Sequence, residues 1–352
     1  MSLVSDKLKA LARCGAAGAY YAAQVHRWRH RGKVIILMYH RVLAPSDLRR
    51  QNVQPGMYVR DTVFRSHMEF VKANFKVIAL EELLDRWHRG AWDNRSRFCV
   101  VTFDDGWLDN YRHAYPVLKE LGLPATIFLP TDFVGTPNWF WPDLLSMILA
   151  KAGKGRNGPA PLGHVHAALS ESLGARVRAV AAESVSSETT IDRIIAWCKE
   201  LPLDQIGKLI ENLAAIVGLS LPQERVVVNW EEVKEMSQNG LSFGSHSCSH
   251  GIMTKLSRDE VVREVTESRQ VLLASGASFV PVFCYPNGNS DKEIQQVVQA
   301  SGYEAALGVK TGIEGSTPAN WFDIARIGIH NDISYTIPLF SFRIFGPTPA
   351  AA

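Results

Sequence analysis

Long apolar runs are missing from this chain of 352 residues. The strongest candidate, Cys14 to Val25, is short, rich in Ala and Gly, and too weakly apolar for a spanning helix. It also lacks the small-x-small pattern of a secretory cleavage site followed by a mature start. Paired cysteines are missing too. The five thiols, Cys14, Cys99, Cys198, Cys248 and Cys284, are odd in number and form no C-x-x-C, which argues against a disulfide framework and predicts reduced thiols. Charge of one sign is not in excess: the formal net charge is +3, which gives no general case for nucleic acid or an acidic substrate as partner. What remains is an ordinary globular composition, 46% hydrophobic and 21% charged, long for one domain but within reach of a barrel with insertions.

The chain is organised around Phe98 to Pro130. Phe98-Cys99-Val100-Val101-Thr102-Phe103 has the aromatic and β-branched content of a buried parallel strand. It ends in two carboxylates and a glycine, Asp104-Asp105-Gly106. Leu108, Tyr111, Tyr115, Leu118 and Leu121 then follow a helical repeat that Gly122 is placed to stop, and Ala125 to Leu129 is a second strand. This is a β-α-β unit with paired acids at the carboxyl end of its first strand, where α/β folds keep their chemistry. Adjacent Asp residues alone are more often a turn or a cap.

A second strand end changes that balance. Phe243 to His250 also follows a short apolar strand, and His246 and His250 are spaced so that one helical turn would place both imidazoles on one side. Asp105 with the two histidines makes three ligands and leaves a position for water, as hydrolytic metal sites require. Cys248, between the histidines, is the alternative third ligand.

Thr102-Phe103-Asp104-Asp105-Gly106 and His246-Ser247-Cys248-Ser249-His250 resemble the first two motifs of the polysaccharide deacetylases, the NodB-homology domain of carbohydrate esterase family four. Ile36 to Val42 and Phe283 to Gly288 resemble segments of the family's exopolysaccharide-associated branch. The resemblance spans roughly residues 34 to 330 and implies a distorted, incomplete (β/α) barrel of about seven strand-helix units. It assigns the metal site to Asp105, His246 and His250, for Zn²⁺ or otherwise Co²⁺ or Ni²⁺. Asp104 would be the general base, the backbone N–H of Tyr285 an oxyanion donor, and His330 the general acid. Two departures stand out: Gly328 occupies the Leu position of the last Leu-x-His motif, and the Arg of the third motif is replaced within Phe283-Cys284-Tyr285-Pro286. Arg326 or Asp323 could supply part of that missing network.

Other segments are placed more simply. Val34 to Tyr39 is the first strand, and His40 after it either contacts the site or closes the strand end locally. Ser257-Arg258-Asp259-Glu260 is a capping box. Residues 138 to 225 read as a helical insertion, a candidate lid, with Trp139, Phe140 and Trp141 as lid core or a sugar-stacking wall. Residues 1 to 33 form a basic arm that either rests on an anionic membrane face through Tyr20, Tyr21 and Trp28 or packs on the barrel as a helix. The expected function is metal-dependent removal of N-acetyl groups from an amino-sugar glycan or glycolipid, without a nucleic-acid partner. The expected location is cytoplasmic, including the membrane periphery, with export as the alternative. A deformylase or small-molecule amidase, and a non-catalytic glycan-binding module, are the competing readings.

Overall fold

The computed structural model describes residues 2–50, 53–154 and 160–346. Seven parallel strands close on themselves: β1 (Lys33–Tyr39), β2 (Arg97–Phe103), β3 (Ala125–Leu129), β4 (Leu241–Ser245), β5 (Phe279–Cys284), β6 (Ala305–Thr311) and β7 (Ile324–Gly328). Each strand pairs with the next, and β1 lies between β2 and β7, which completes the ring. The seven-stranded barrel is as expected. Its incompleteness lies in the strand count, seven against the eight of a full (β/α) barrel, and not in the closure. A two-residue strand, Lys76–Val77, pairs with Phe98 and Cys99 in the lower half of β2, while β3 pairs with Thr102 and Phe103 above it. Because all pairings are parallel, every carboxyl strand end opens on one mouth.

Strand alternation divides the side chains between two layers. Val280 and Val282 of β5 join Val34, Phe98 and Leu307 in a buried cluster that the helix Leu80–His88 helps to seal with Leu83, Leu84 and Trp87. The alternate residues Phe283 and Tyr285 pack with Val261, Val265, Ile294 and Val298 of the helices Arg258–Ala274 and Lys292–Ala300. Strands apolar on both faces are what a parallel barrel covered by helices demands.

Several boundaries differ from the sequence pattern. The helix expected from Leu108 to Leu121 opens with a π-helical segment, Asn110–Ala114, before the α-helix Tyr115–Leu121; Gly122 stops it at φ 64°. The helix expected over 167 to 182 is two, Ala160–Leu173 and Ala175–Arg178, parted at Gly174 with φ 65°. The helix Ile337–Phe345 near the end was not anticipated. It receives the N-terminal helix Ser2–Ala22: Tyr20 meets Phe342 edge-on with centroids 5.1 Å apart, and Tyr21 stacks on His26 at 4.9 Å. Two of the three aromatic residues considered for a membrane face are thus engaged within the protein, and Trp28 is exposed. Among the described residues, no helix is long and apolar enough to cross a membrane. All five cysteines are free thiols, four of them buried.

The barrel unit comprises residues 1–45, 55–136 and 227–352; a second compact unit comprises 46–54 and 137–226. The second unit therefore takes in a short segment, 46–54, that the sequence pattern left with the barrel; Gln54 there donates to Asp192 Oδ1 at 2.8 Å. Its helices Trp141–Lys154, Ala160–Leu173, Glu188–Cys198 and Leu203–Ile216 pack around an aliphatic core that includes Leu145, Ile194 and Leu213. Of the aromatic cluster, Trp141 packs against that core, Phe140 is buried, and Trp139 Nε1 donates to the Glu224 carbonyl at 2.8 Å.

Candidate catalytic centre

The paired acids are separated by a turn. Asp104 continues the extended path of β2, its N–H donating to the Tyr39 carbonyl at 2.9 Å. Asp105 (φ 70°) and Gly106 (φ 64°) then enter the left-handed region, which Asp tolerates better than most residues and Gly adopts without strain. A Cβ on Gly106 would lie 2.5 Å from Leu129 Cδ2, so no larger residue fits there without movement. The reversal sends two neighbouring carboxylates in different directions.

Asp105 Oδ1 lies 3.3 Å from His246 Nε2 and 3.1 Å from His250 Nε2. Its other oxygen accepts from Trp107 Nε1 at 2.9 Å. His246 Nδ1 is 2.7 Å from the Cys284 carbonyl; a carbonyl only accepts, so Nδ1 carries the proton and Nε2 faces the aspartate. The segment between the histidines is not the expected helical turn. It is a loop in which Ser247 (φ 66°) and His250 (φ 59°) are left-handed. Glu264, 2% exposed, holds that loop by accepting from the N–H groups of Cys248 and Ser249, both at 2.8 Å, and from Ser249 Oγ at 2.7 Å. Cys248 is turned toward the Glu264 backbone and does not join the histidines, which removes it as third ligand.

Asp104 is anchored separately. Arg326, fully buried on β7, clamps it through Nη1–Oδ1 at 2.7 Å and Nη2–Oδ2 at 2.8 Å, and donates Nε–H to the Gly308 carbonyl at 2.8 Å. Arg326 therefore stands where the third-motif Arg is absent, reaching the site from another strand. Cys284, at that third-motif position, accepts from Arg326 Nη2 at 3.2 Å. Burial alone would push the Asp104 carboxyl up, but Arg326 outweighs it and holds it below its ordinary value. Asp105, equally buried, is held well below by its bonds to His246 and His250. Burial works against charge on both imidazoles. On His246 its contacts with Cys284 and Asp105 win and raise it; on His250 burial wins and lowers it. One carboxylate thus faces two rings of which one readily carries a proton.

Two candidate residues make no bond to Asp104 or Asp105 among the described residues. The Tyr285 N–H donates to the Leu307 carbonyl of β6 at 3.3 Å, and its side chain packs in the outer layer with its hydroxyl donating to the Phe322 carbonyl. It follows a strand whose ladder engages that N–H. His330 turns to Asp332, two residues on, and among the described residues has no bond to Asp104 or Asp105. His40 stands there instead: its Nε2 is 4.0 Å from Asp104 Oδ2, its backbone fixed by Asn110 Nδ2 donating to its carbonyl at 2.7 Å.

Other supporting residues were missed. Arg41 lies over the Trp107 ring at 4.1 Å and bonds Asp109 at 2.8 Å, which steadies the indole that holds Asp105. Glu264 did leave a signal: it is an acid on the helix face that buries Val261, Val265 and Leu272.

These features define a class: a closed seven-stranded (β/α) barrel with an Asp-His-His cluster and a separately anchored Asp at its carboxyl mouth. The polysaccharide deacetylase family profile matches residues 93–153 and 208–306, which include Asp104, Asp105, His246 and His250, and these residues form a polysaccharide deacetylase domain. The poly-beta-1,6-N-acetyl-D-glucosamine N-deacetylase of Staphylococcus epidermidis is 36% identical over 89 residues, 25% of this chain and 30% of that protein. The matched stretches span 30–34% of the length of such curated relatives. Among solved structures, the Streptococcus pyogenes deacetylase PplD in complex with acetate is similar at a TM-score of 0.54 and 17% identity, over 86% of this chain and 94% of that one. IcaB from Ammonifex degensii is similar at 0.53 and 15% identity, over 88% and 97%. At such identities the shared property is the fold.

Proposed function

We propose that the chain is a metal-dependent hydrolase that removes N-acetyl groups from an amino-sugar polysaccharide, oligosaccharide or glycolipid in surface polysaccharide synthesis. The observation that carries this reading is the convergence of both Nε2 atoms on Asp105 Oδ1, beside a second carboxylate tethered independently. The donor set fits a divalent ion: one carboxylate and two imidazoles within 4.8 Å of one another, with the His246 tautomer fixed by the Cys284 carbonyl. Zn²⁺ is the expected metal, and Co²⁺ or Ni²⁺ suits the same ligands. Bound there, the ion supplies Lewis acidity toward an acyl oxygen and an acidified water.

The remaining steps belong to the protein. Asp104, kept ionised and oriented by Arg326, takes a proton from the attacking water. Each carboxylate oxygen in that clamp keeps a second lone pair for it. Arg326 lowers the basicity of Asp104 but fixes its direction. His40, half-buried beside Asp104, is assigned the proton for the departing amine in place of His330. The name of the staphylococcal relative supports an N-acetylglucosamine polymer as substrate class. A second grouping, Asp104 with His246 and Cys284, fits an ion less well, since Asp104 is held by Arg326 and burial raises the Cys284 thiol.

The test is product analysis. Purified protein incubated with β-1,6-linked N-acetylglucosamine oligomers should release acetate, lose that activity on chelation and regain it with Zn²⁺, while Asp105→Asn stays inactive. Formate release from N-formylated sugars alone, or sugar binding without turnover, would sink the proposal.

A further inference from the structure

A cavity of about 220 Å³ lies on the outer side of the barrel, between β6, β7 and the helices Ser2–Ala22 and Ile337–Phe345. Arg326 on β7 points inward to Asp104, so its neighbour Ile327 faces out into this space. Ile327, Ile333, Leu339 and Phe342 make the walls apolar, yet Arg13 and Arg343 also line them. Arg343 donates to the Gly328 carbonyl at 3.0 Å, and Arg13 to the Asp332 carbonyl at 3.3 Å. The Asp332 carboxylate is engaged by His330, and among the described residues neither guanidinium forms an ion pair. Arg343, partly buried against this greasy hollow, is costly without an anion, because a desolvated charge needs a partner, and the exposed Arg13 adds a second cation at its rim.

Gly328 belongs to the same arrangement. A Cβ there would lie 3.1 Å from Met38 Cε, while Arg343 Nη2 is 4.0 Å away, at ordinary contact distance. The Gly328 carbonyl, accepting from Arg343 Nε, fixes that guanidinium at the cavity wall.

We propose that this cavity binds an anionic amphiphile: a phosphate-monoester head held by Arg13 and Arg343, with the start of an alkyl chain against Ile333, Leu339 and Phe342. Guanidinium groups suit phosphate through paired N–H donors, and the apolar wall suits a hydrocarbon. The volume falls below the roughly 300 Å³ at which drug-sized sites begin, which matches a head group and a few carbons and excludes a sugar chain.

Calorimetric titration of the full chain with octyl phosphate, inorganic phosphate and octyl glucoside tests this without turnover. Octyl phosphate should bind saturably, inorganic phosphate at least tenfold more weakly, and octyl glucoside not at all. Arg343→Gln should weaken octyl phosphate at least tenfold. Arg13→Gln, at an exposed helix position, should do the same with an unchanged melting temperature. Equal affinity for inorganic phosphate would assign the site to free phosphate and overturn the amphiphile. Equal affinity for octyl glucoside would overturn the role of charge. Absence of saturable octyl phosphate binding, or binding unchanged in Arg13→Gln, would overturn the proposal altogether.

Discussion

The barrel unit and the second unit bury different kinds of matter. The barrel unit buries Arg41, Asp104, Asp105, Asp109, His246, Glu264, Glu314 and Arg326, every one with a carboxylate, guanidinium, imidazole or backbone partner. Among the described residues, the second unit buries only Ser146 and Thr190 as polar side chains, around an aliphatic core. Desolvated charge is tolerated only where each group is paired. The difference teaches where the chain commits its chemistry and where it only packs.

The sharpest way to break the comparison is to unpair one buried charge. Arg326→Met should destabilise the barrel by about 3–5 kcal/mol, because Asp104 is left ionised without its guanidinium. Urea unfolding followed by barrel tryptophans measures it, and a loss under 1 kcal/mol would show that the pair is not held dry. Next in size, His40→Ala should cut kcat of the proposed reaction by about 10²–10⁴-fold, the span of general acid–base catalysis. His330→Ala should stay within a few fold; the reverse result would restore His330. In the second unit, Leu213→Ala should cost roughly 3 kcal/mol through a cavity alone while leaving divalent-ion affinity unchanged. An altered affinity would mean that this core is not merely packing.

A pH experiment sharpens the contrast within the barrel unit. His67 is fully buried, stacked on Phe340 at 3.8 Å, with Nε2 donating to the Ser334 carbonyl and Nδ1 accepting from the Tyr39 hydroxyl. Burial lowers its pKa to about 4, while the unfolded chain titrates near the ordinary 6.5. Below pH 6.5 the unfolded state therefore binds the extra proton, and stability from this group, complete above 6.5, drains away toward pH 4. The loss is about 3 kcal/mol, from roughly 1.36 kcal/mol per unit. Urea midpoints at pH 7 and 4.5 should show a slope that His67→Gln flattens; an unchanged slope would place the titration elsewhere. The smallest effect is Ser257→Ala, about 1 kcal/mol, which removes the cap reciprocated by Glu260. Helix melting that does not move would show the cap is redundant with packing.

The strands were legible because buried parallel strands carry dense β-branched and aromatic residues; β3 and β5 match their sequence pattern residue for residue. The Ser257 capping box was equally plain, since it depends on residues within one turn. Ile337–Phe345 was harder: its Phe and Ile content fits strand or helix until a partner settles which face is buried. The spacing of His246 and His250 pointed to a pair that does converge on Asp105, but through a loop and not the expected helical turn. A loop held by Glu264, sixteen residues from Cys248, achieves what one helical turn would have done.

What the sequence determined alone is local: the strand ends, the caps, and the residue types able to hold a cation or move a proton. Which of them meet was decided only in three dimensions. Arg326 and Asp104 lie 222 positions apart, and His40 comes beside Asp104 only because β1 closes the ring against β2. The physical reason is that pairing across a closed barrel depends on register and strand order, and side-chain spacing along one strand carries no information about either.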